Sequence, residues 1–391
     1  MAKKNNPQVT PQESGAPTST QEEKKYQVAA RYMLSSHRFI NIAVDSNEEN
    51  AEELFYYSNG MYHPGGKTLI RRELAKIFPQ YCNSYFNREV ITLVKQNTIV
   101  DRSAINPPGF VGVLNGNLFL DEHGKLCGLL PHTPDIYITS QLPVMYKRGM
   151  DCPKIKNFLV DIVDVDAAKT IIEFLGYCLY WSNSLEKWLL LYGYGENGKT
   201  RLVQLIREFL GDTSVVSKTL QALVENRFAT SGLFGKRANI VGDLSSRTIY
   251  DTGMIKTLTS SDGISAEKKG KDAFEFVSFA KLIIATNRPP RITKAEQTHA
   301  FFRRILWIEF TRQFREGNPK RDPFILEKIL TPDELSGLLN AALDGLEKIM
   351  RVGFTSTGTP AEIMLRYNAA AGEDEDDVLN DKNIFIHKPE K

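Results

Sequence analysis

The run Gly193-Tyr194-Gly195-Glu196-Asn197-Gly198-Lys199-Thr200 constrains this chain more than any other stretch of it. It is a complete G-x-x-x-x-G-K-T, and both flanks suit one structure. Trp188 to Tyr192 is a short apolar run that reads as a strand, and Leu202, Leu205, Ile206 and Phe209 recur at helical spacing until Gly211 stops them. A strand, a glycine loop and a helix in that order turn backbone N–H groups and a helix N-terminus toward an anion. In such a loop Lys199 reaches the β- and γ-phosphates of a nucleotide and Thr200 ligates Mg²⁺, so ATP and Mg²⁺ are the expected cofactors, bound by residues 193 to 200. A second Gly-Lys-Thr at Gly66-Lys67-Thr68 lacks the earlier glycine, because Met61 stands in its place. There Pro64-Gly65-Gly66 reads as a turn between short β runs.

Hydrolysis requires partners beyond the loop, beginning with an acid at the end of a neighbouring strand. Ala238 to Gly242 is a strand leading to Asp243, the expected Mg²⁺ ligand and catalytic acid. Leu244, Ser245 and Ser246 follow, so a second carboxylate to activate water is missing from its expected place. Lys281 to Thr286 is a further apolar strand ending at Asn287, a polar group suited to sensing the γ-phosphate or holding the attacking water. Arg303 and Arg304 precede the strand Ile305 to Phe310, and Arg304 is the favoured arginine finger toward a neighbouring subunit's nucleotide. Apolar runs alternating with helical segments through this region predict an α/β domain with buried parallel strands.

Residues 1–25 hold almost nothing to bury and read as a disordered tail. Residues 26–150 read as a small α+β domain. Tyr26 to Phe39 suggests a helix, and Leu54 to Tyr57, the turn Asn59-Gly60 and Met61-Tyr62 suggest a hairpin. Glu73 to Phe78 and Arg88 to Val100 look helical, and Val111 to Leu120 forms a second hairpin-like stretch. The ATPase domain is placed at 151–315 with a leading helical bundle at 151–187, in which Asp166 caps a helix. A helical segment at 316–370 and an acidic tail at 371–391 complete the expected organisation.

Lys and Arg total 49 against 47 Asp and Glu, a net charge of +2 that by itself argues mildly against nucleic acid. Cys82, Cys127, Cys152 and Cys178 are widely spaced, so neither a disulfide framework nor structural zinc is suggested, and the six histidines form no metal-ligand spacing. No apolar run approaches the roughly 18 residues of a membrane span, and a cytoplasmic protein without a membrane is expected.

Taken in order, the phosphate loop, the strand ending in Asp243, the lysine-rich segment, the strand ending in Asn287 and the Arg303-Arg304 pair resemble a superfamily 3 helicase. More closely, the chain is similar to the helicase portion of phage and plasmid primase–helicases and of the poxvirus type. Gly109 to Leu120, Thr139 to Val144, Cys152 to Leu159, Phe174 to Leu179, Glu334 to Asn340 and Gly353-Phe354 extend the similarity to roughly residues 50 to 355. The resemblance implies an AAA+-type parallel sheet, a homo-oligomeric, hexameric ring with ATP between subunits, and single-stranded or forked DNA in its centre. It also implies a DNA-gripping hairpin between the Asp243 and Asn287 motifs. The matching stretch carries Lys268, Lys269 and Lys271 around Gly270, with Phe274, Phe276 and Phe279 on the return. A ring of such loops is strongly basic although each chain is nearly neutral. Where that family tends to have Thr-Gly-Gly-Asp, this chain has Thr259-Ser260-Ser261-Asp262.

The function expected is ATP-dependent unwinding of DNA in the replication of a virus, plasmid or integrated element. A nucleotide-gated DNA-loading scaffold with weak unwinding is the alternative, favoured by the missing second carboxylate. Primase activity is not expected in the chain itself, and a separately encoded primase is the expected companion.

Overall fold

The computed structural model describes residues 24–42, 53–226, 228–242, 249–267 and 273–372. Helix α1 (Lys25–Ser36) leads into strands β1 (Phe39–Ile42), β2 (Glu53–Ser58) and β3 (Met61–Pro64), helices α2 (Gly66–Ile77) and α3 (Ser84–Gln96), and strand β4 (Ile99–Val100). These strands form a sheet in the order β3-β2-β1-β4. The tight turn between β2 and β3 places Asn59 and Gly60 at positive φ, the conformation that an Asn-Gly hairpin selects. Ala29, Met33, Ile70, Leu74, Val90 and Val94 of the three helices cover one sheet face with Phe39 and Leu54. Ile40, Ile42 and Tyr62 on the other face meet Ile105, Tyr137 and Phe234. Strands β5 (Phe110–Val113), β6 (Gly116–Leu120) and β7 (Leu126–Leu130) follow as an antiparallel meander.

Local chemistry sets several boundaries away from their expected positions. Helix α3 starts early because Asn83 accepts the Phe86 N–H at 2.9 Å. It ends at Gln96, and Ile99–Val100 instead pair with Asn41–Ile42, so sheet hydrogen bonds override helical spacing there. Likewise Phe39 is a strand residue of the β1 core. Gly65, at φ +100, is the N-cap of α2, so the second Gly-Lys-Thr opens a helix and is not a turn between strands.

The second half begins with α4 (Pro153–Ile162) and α5 (Val165–Leu179), capped by Asp164 through the Ala167 N–H at 2.8 Å and not by Asp166. Next come β8 (Trp188–Tyr192), α6 (Lys199–Leu210), β9 (Val215–Val216), α7 (Leu220–Glu225), β10 (Ala238–Val241), α8 (Gly253–Thr259), the antiparallel pair β11 (Gly263–Ala266) and β12 (Phe274–Val277), and β13 (Lys281–Thr286). The series closes with α9 (His299–Phe302), β14 (Ile305–Glu309), α10 (Ile325–Ile329), α11 (Pro332–Val352) and α12 (Pro360–Ala371). Five strands form one parallel sheet in the order β14-β8-β13-β10-β9, which in chain succession is fifth, first, fourth, third, second. The two-residue β9 lacks an apolar run long enough to announce it in the sequence.

Both faces of this sheet are covered, as uninterrupted apolar strands require. Leu189, Leu191, Ile240, Ile283, Leu306 and Ile308 face the layer that holds α5, α6 and α11. Trp188, Leu190, Ile284 and Trp307 face a second layer that includes Phe274, Phe276, Phe301 and Tyr367. At the N-terminal ends of the strands, two buried cations bind the sheet to the end of α5. Arg237 donates to the Leu179 carbonyl at 2.7 Å and lies 4.6 Å from the Trp181 ring. Lys281 donates to the Ser182 carbonyl at 2.7 Å and to Asn183 Oδ1 at 2.9 Å. Burial pushes Arg237 down to about 9 and Lys281 down to about 7. Among the described residues no helix is long and apolar enough to cross a membrane.

Helices α5 and α11 pack with almost no space between backbones. A Cβ on Gly176 would lie 2.1 Å from the Ala342 carbonyl oxygen. The buried Glu334 carboxylate, on α11, accepts the Lys154 and Ile155 N–H groups at 3.2 and 3.0 Å, and so caps α4 at its positive end. Gly176→Ala is therefore expected to destabilise the fold by about 2 kcal/mol or more, because two backbones must separate. Urea unfolding followed by circular dichroism checks this, with Gly128→Ala as a control where the backbone angle is ordinary and a Cβ meets nothing within 4 Å.

Candidate functional site

The phosphate-loop sequence is positioned by three strand ends. Beyond Tyr192 the chain turns at Gly193 (φ +153), where a Cβ would press on the Phe310 carbonyl oxygen at 2.7 Å. The Gly193 N–H donates to the Thr286 carbonyl at 3.3 Å, the Phe310 N–H to the Tyr192 carbonyl at 2.8 Å, and the Phe314 N–H to the Glu196 carbonyl at 2.7 Å. Gly198 (φ +90) is the N-cap of α6, and a Cβ there would lie 2.7 Å from Ile162 Cγ2. Gly195 has open space where a Cβ would stand, so a ligand has room to approach its backbone.

Lys199 is buried and folds back onto the loop. Its ammonium donates to the Gly193 carbonyl, to the Tyr194 carbonyl at 3.3 Å and to Asn197 Oδ1 at 3.2 Å. Asn197 is 3% exposed, and its Nδ2 is buried with no hydrogen-bond partner. A buried donor left unmade costs free energy that an added acceptor recovers. Thr200 is exposed at the first turn of α6. An orphan donor, a buried ammonium drawn onto the loop's own carbonyls and an open glycine form a cradle that fits polyphosphate.

A cavity of about 830 Å³ adjoins this loop. Gly195 to Arg201 line one side, and Gly242, Thr286 and Asn287 line the strand ends. Thr286 is level with Tyr192 in the register of β13 and β8, which brings Asn287 out beside Gly193. Asp243 lies outside the described residues, as do Lys268, Lys269, Gly270 and Lys271. Among the described residues no cluster of three His, Cys, Asp or Glu side chains is arranged to hold a metal ion.

The far wall is apolar and was not foreseen. Phe158 and Ile162 of α4, Phe314, and Ile325 and Ile329 of α10 line it. The i,i+4 spacing of Phe158 and Ile162 announces an apolar helix face, but nothing in that spacing says that the face meets the glycine loop. Two ion pairs stand at the cavity, Lys320–Asp161 and Lys328–Asp322, each at 2.6 Å. The Lys328 ammonium holds the Asp322 carboxyl below the usual carboxylate range.

Arg303 and Arg304 lie at the other end of the sheet. The Trp188 N–H donates to the Arg304 carbonyl at 2.9 Å, which fixes Arg304 where β8 begins, roughly 15 Å of strand away from the loop. Both guanidinium groups meet Glu186, that of Arg304 at 3.2 Å, and Arg304 also donates to the Ala300 carbonyl at 2.6 Å. The Arg304 side chain is 9% exposed against 40% for Arg303. Neither arginine therefore reaches its own chain's phosphate loop.

The antiparallel arms β11 and β12 bracket the lysine segment. Their root is firm: Phe274 and Phe276 are buried against Phe234, the Arg102 guanidinium sits 4.0 Å from the Phe274 ring centre, and Thr230 donates to the Ser265 carbonyl at 3.1 Å. Phe279 packs edge-on against Trp181.

Known proteins are similar to this chain in sequence or in fold. A family model described as a family of unknown function (DUF5906) matches residues 191–304, from the end of β8 to Arg304. The "Putative helicase L207/L206" of Acanthamoeba polyphaga mimivirus is 28% identical over 222 residues, covering 51% of this chain and 23% of that protein. The "Putative primase C962R" of African swine fever virus is 24% identical over 300 residues, covering 72% and 31%. The solved C-terminal region of NrS-1 superposes with a TM-score of 0.56 over 88% of this chain and 75% of that one, at 14% identity, so the fold is shared. The chain is thus similar to proteins named as putative viral helicases and a putative viral primase. It spans less than a third of the length of these curated relatives. The family-model match ends where the arginine pair begins the last strand, so it takes in the glycine loop, the hairpin arms and both strand-end motifs.

Gly198→Ala forces a side chain into Ile162 at a backbone angle that L residues rarely adopt. It is expected to weaken binding of a fluorescent ATP analogue at least tenfold while far-UV circular dichroism stays unchanged.

Proposed function

We propose that the chain is an ATP-driven DNA helicase of the superfamily 3 type, built on an AAA+-type phosphate-loop core and acting in replication of a viral, plasmid or integrated element in its host's cytoplasm. The observation that carries this reading is the convergence of the glycine loop, Gly242 before Asp243, and Asn287 on one cavity at one end of a parallel sheet. The strand order supports it, since the strand bearing the loop lies next to the strand bearing Asn287, with the Asp243 strand one further.

In this reading the Lys199 ammonium leaves the Gly193 and Tyr194 carbonyls for the β- and γ-phosphates, and the Asn197 amide gains an acceptor. Thr200 and Asp243 hold Mg²⁺, which supplies charge neutralisation at the phosphates. Asn287 orients the attacking water or the γ-phosphate. The apolar wall of Phe158, Ile162 and Phe314 encloses the base. Arg304, supported by Glu186 and far from its own loop, completes a neighbouring subunit's site in a homo-oligomeric ring, with a hexamer as the closed form. Lys268, Lys269 and Lys271, carried on the arms β11 and β12, grip DNA in the ring's centre, and a primase is the companion activity.

A nucleotide-gated scaffold is the second reading. It is favoured by the ion pairing of Asp161 and Asp322 and by the absence of acid at residues 244 to 246, where a second carboxylate to activate water is expected. Single-turnover hydrolysis with and without DNA separates the two.

Lys199→Ala is expected to lower ATPase activity and strand separation by roughly 100-fold or more. The triple variant Lys268→Ala, Lys269→Ala and Lys271→Ala is expected to keep basal ATPase and lose DNA stimulation. Normal unwinding by the triple variant would remove the hairpin from the mechanism.

A further inference from the structure

The helices of the N-terminal unit carry charge that the nearly neutral chain conceals. Residues 24–42 and 53–104 hold eleven lysines and arginines against four aspartates and glutamates, a surplus of seven. Counting the four carboxylates of residues 43–52 as well, the surplus is still three, larger than that of the entire chain. Helices α1, α2 and α3 cover the sheet face opposite the one that packs on Tyr137 and Phe234, so their outer surface points away from the rest of the described fold.

Cations and aromatic rings are paired on this surface. Lys25 lies 4.3 Å from the Tyr81 ring centre, Arg88 lies 5.4 Å from that of Tyr85, and Lys24 lies 5.7 Å from that of Tyr26. The N-termini of α1 and α3 are neighbours, and Lys24 sits within electrostatic range of Tyr85 and Glu89. Tyr85 is 57% exposed, with its ring face supported by the Arg88 guanidinium. The carboxylate in the cluster, Glu89, is met by Arg88 at 3.5 Å. A structural aromatic buries its ring, and a solvated lysine turns away from rings. Here Tyr81 and Tyr26 are partly buried against the helix core, whereas the Tyr85 ring is left open beside a cation, the combination that accepts a stacked base and its phosphates.

We propose that the outer surface formed by the N-termini of α1 and α3 is a binding site for single-stranded nucleic acid, in which Tyr85 stacks on a base while Lys24, Lys25 and Arg88 meet phosphates. Its position on the helix-covered face of the N-terminal sheet sets it apart from the cavity beside the glycine loop, which makes it independent of ATP. The stacking platform favours single strands over duplex, whose bases are not available to a tyrosine face.

The test is fluorescence anisotropy of a labelled oligothymidylate with the full chain in the absence of nucleotide. The background is the triple hairpin variant Lys268→Ala, Lys269→Ala and Lys271→Ala, so that loss of the ATPase reading and loss of this site are distinguishable. Residual binding is expected there. It should fall at least tenfold in Lys25→Glu with Arg88→Glu, and about fivefold or more in Tyr85→Ala, with Tyr85→Phe restoring it. Binding should also weaken as salt rises, with a shallower slope in the charge-reversed variant. The proposal is overturned by no residual binding in the background, by unchanged affinity in the charge-reversed variant, or by Tyr85→Ala binding as the parent does. Equal affinity for duplex with the same dependence would show a phosphate-only patch and also overturn it. A light-scattering mass that drops in the variants, with oligothymidylate binding intact, would mark a subunit contact instead.

Discussion

The approach of the glycine loop to its three neighbours is the contact on which the rest of the site depends. At Gly193 the backbone of Phe310 leaves no room for a side chain, and at Gly198 the side chain of Ile162 leaves none. The loop is thereby clamped between the end of β14 and the end of α4. Its hydrogen bonds to Thr286 and Phe314 tie it to β13 and to the segment beyond β14. Loop, strand ends and apolar wall share a cavity because these close contacts hold them in one place.

That clamp needs a rigid frame. Two apolar layers sandwich the parallel sheet, and the near-contact of Gly176 with Ala342 joins α5 to α11, which in turn caps α4 through Glu334. At the opposite edge, Arg237 and Lys281 are buried on carbonyl oxygens and aromatic rings. The same edge carries the Glu186–Arg303–Arg304 cluster, so the two ends of β8 have opposite character: an open cradle at one, a closed knot of cations at the other.

Most of the parallel sheet was legible because its strands are uninterrupted apolar runs bounded by polar motifs, and four of the five appear where those runs stand. Strand β9 was not, since Val215-Val216 earns its strand from pairing with Ala238-Asn239 and not from its own pattern. The start of α3 depended on the Asn83 cap and its end on sheet pairing at Ile99, and neither follows from helical periodicity. Within the site, the loop and Asn287 were readable as motifs, while the wall of Phe158, Ile162 and Phe314 required tertiary structure to assemble it from segments over 150 residues apart in sequence. Arg304 was recognisable as a candidate, but its pairing with Glu186 was not. The aromatic–cation pairs of α1 and α3 escaped notice because net charge averages over the chain.

Hydrogen–deuterium exchange with and without ATP and Mg²⁺ tests the central claim, that the cavity beside the glycine loop is the nucleotide site. The account predicts slowed exchange in residues 195 to 201, in 286 to 288 and in 312 to 325 when nucleotide is added. Unchanged exchange in those three segments, or protection confined to the Glu186 and Arg303 end of the sheet, would contradict it.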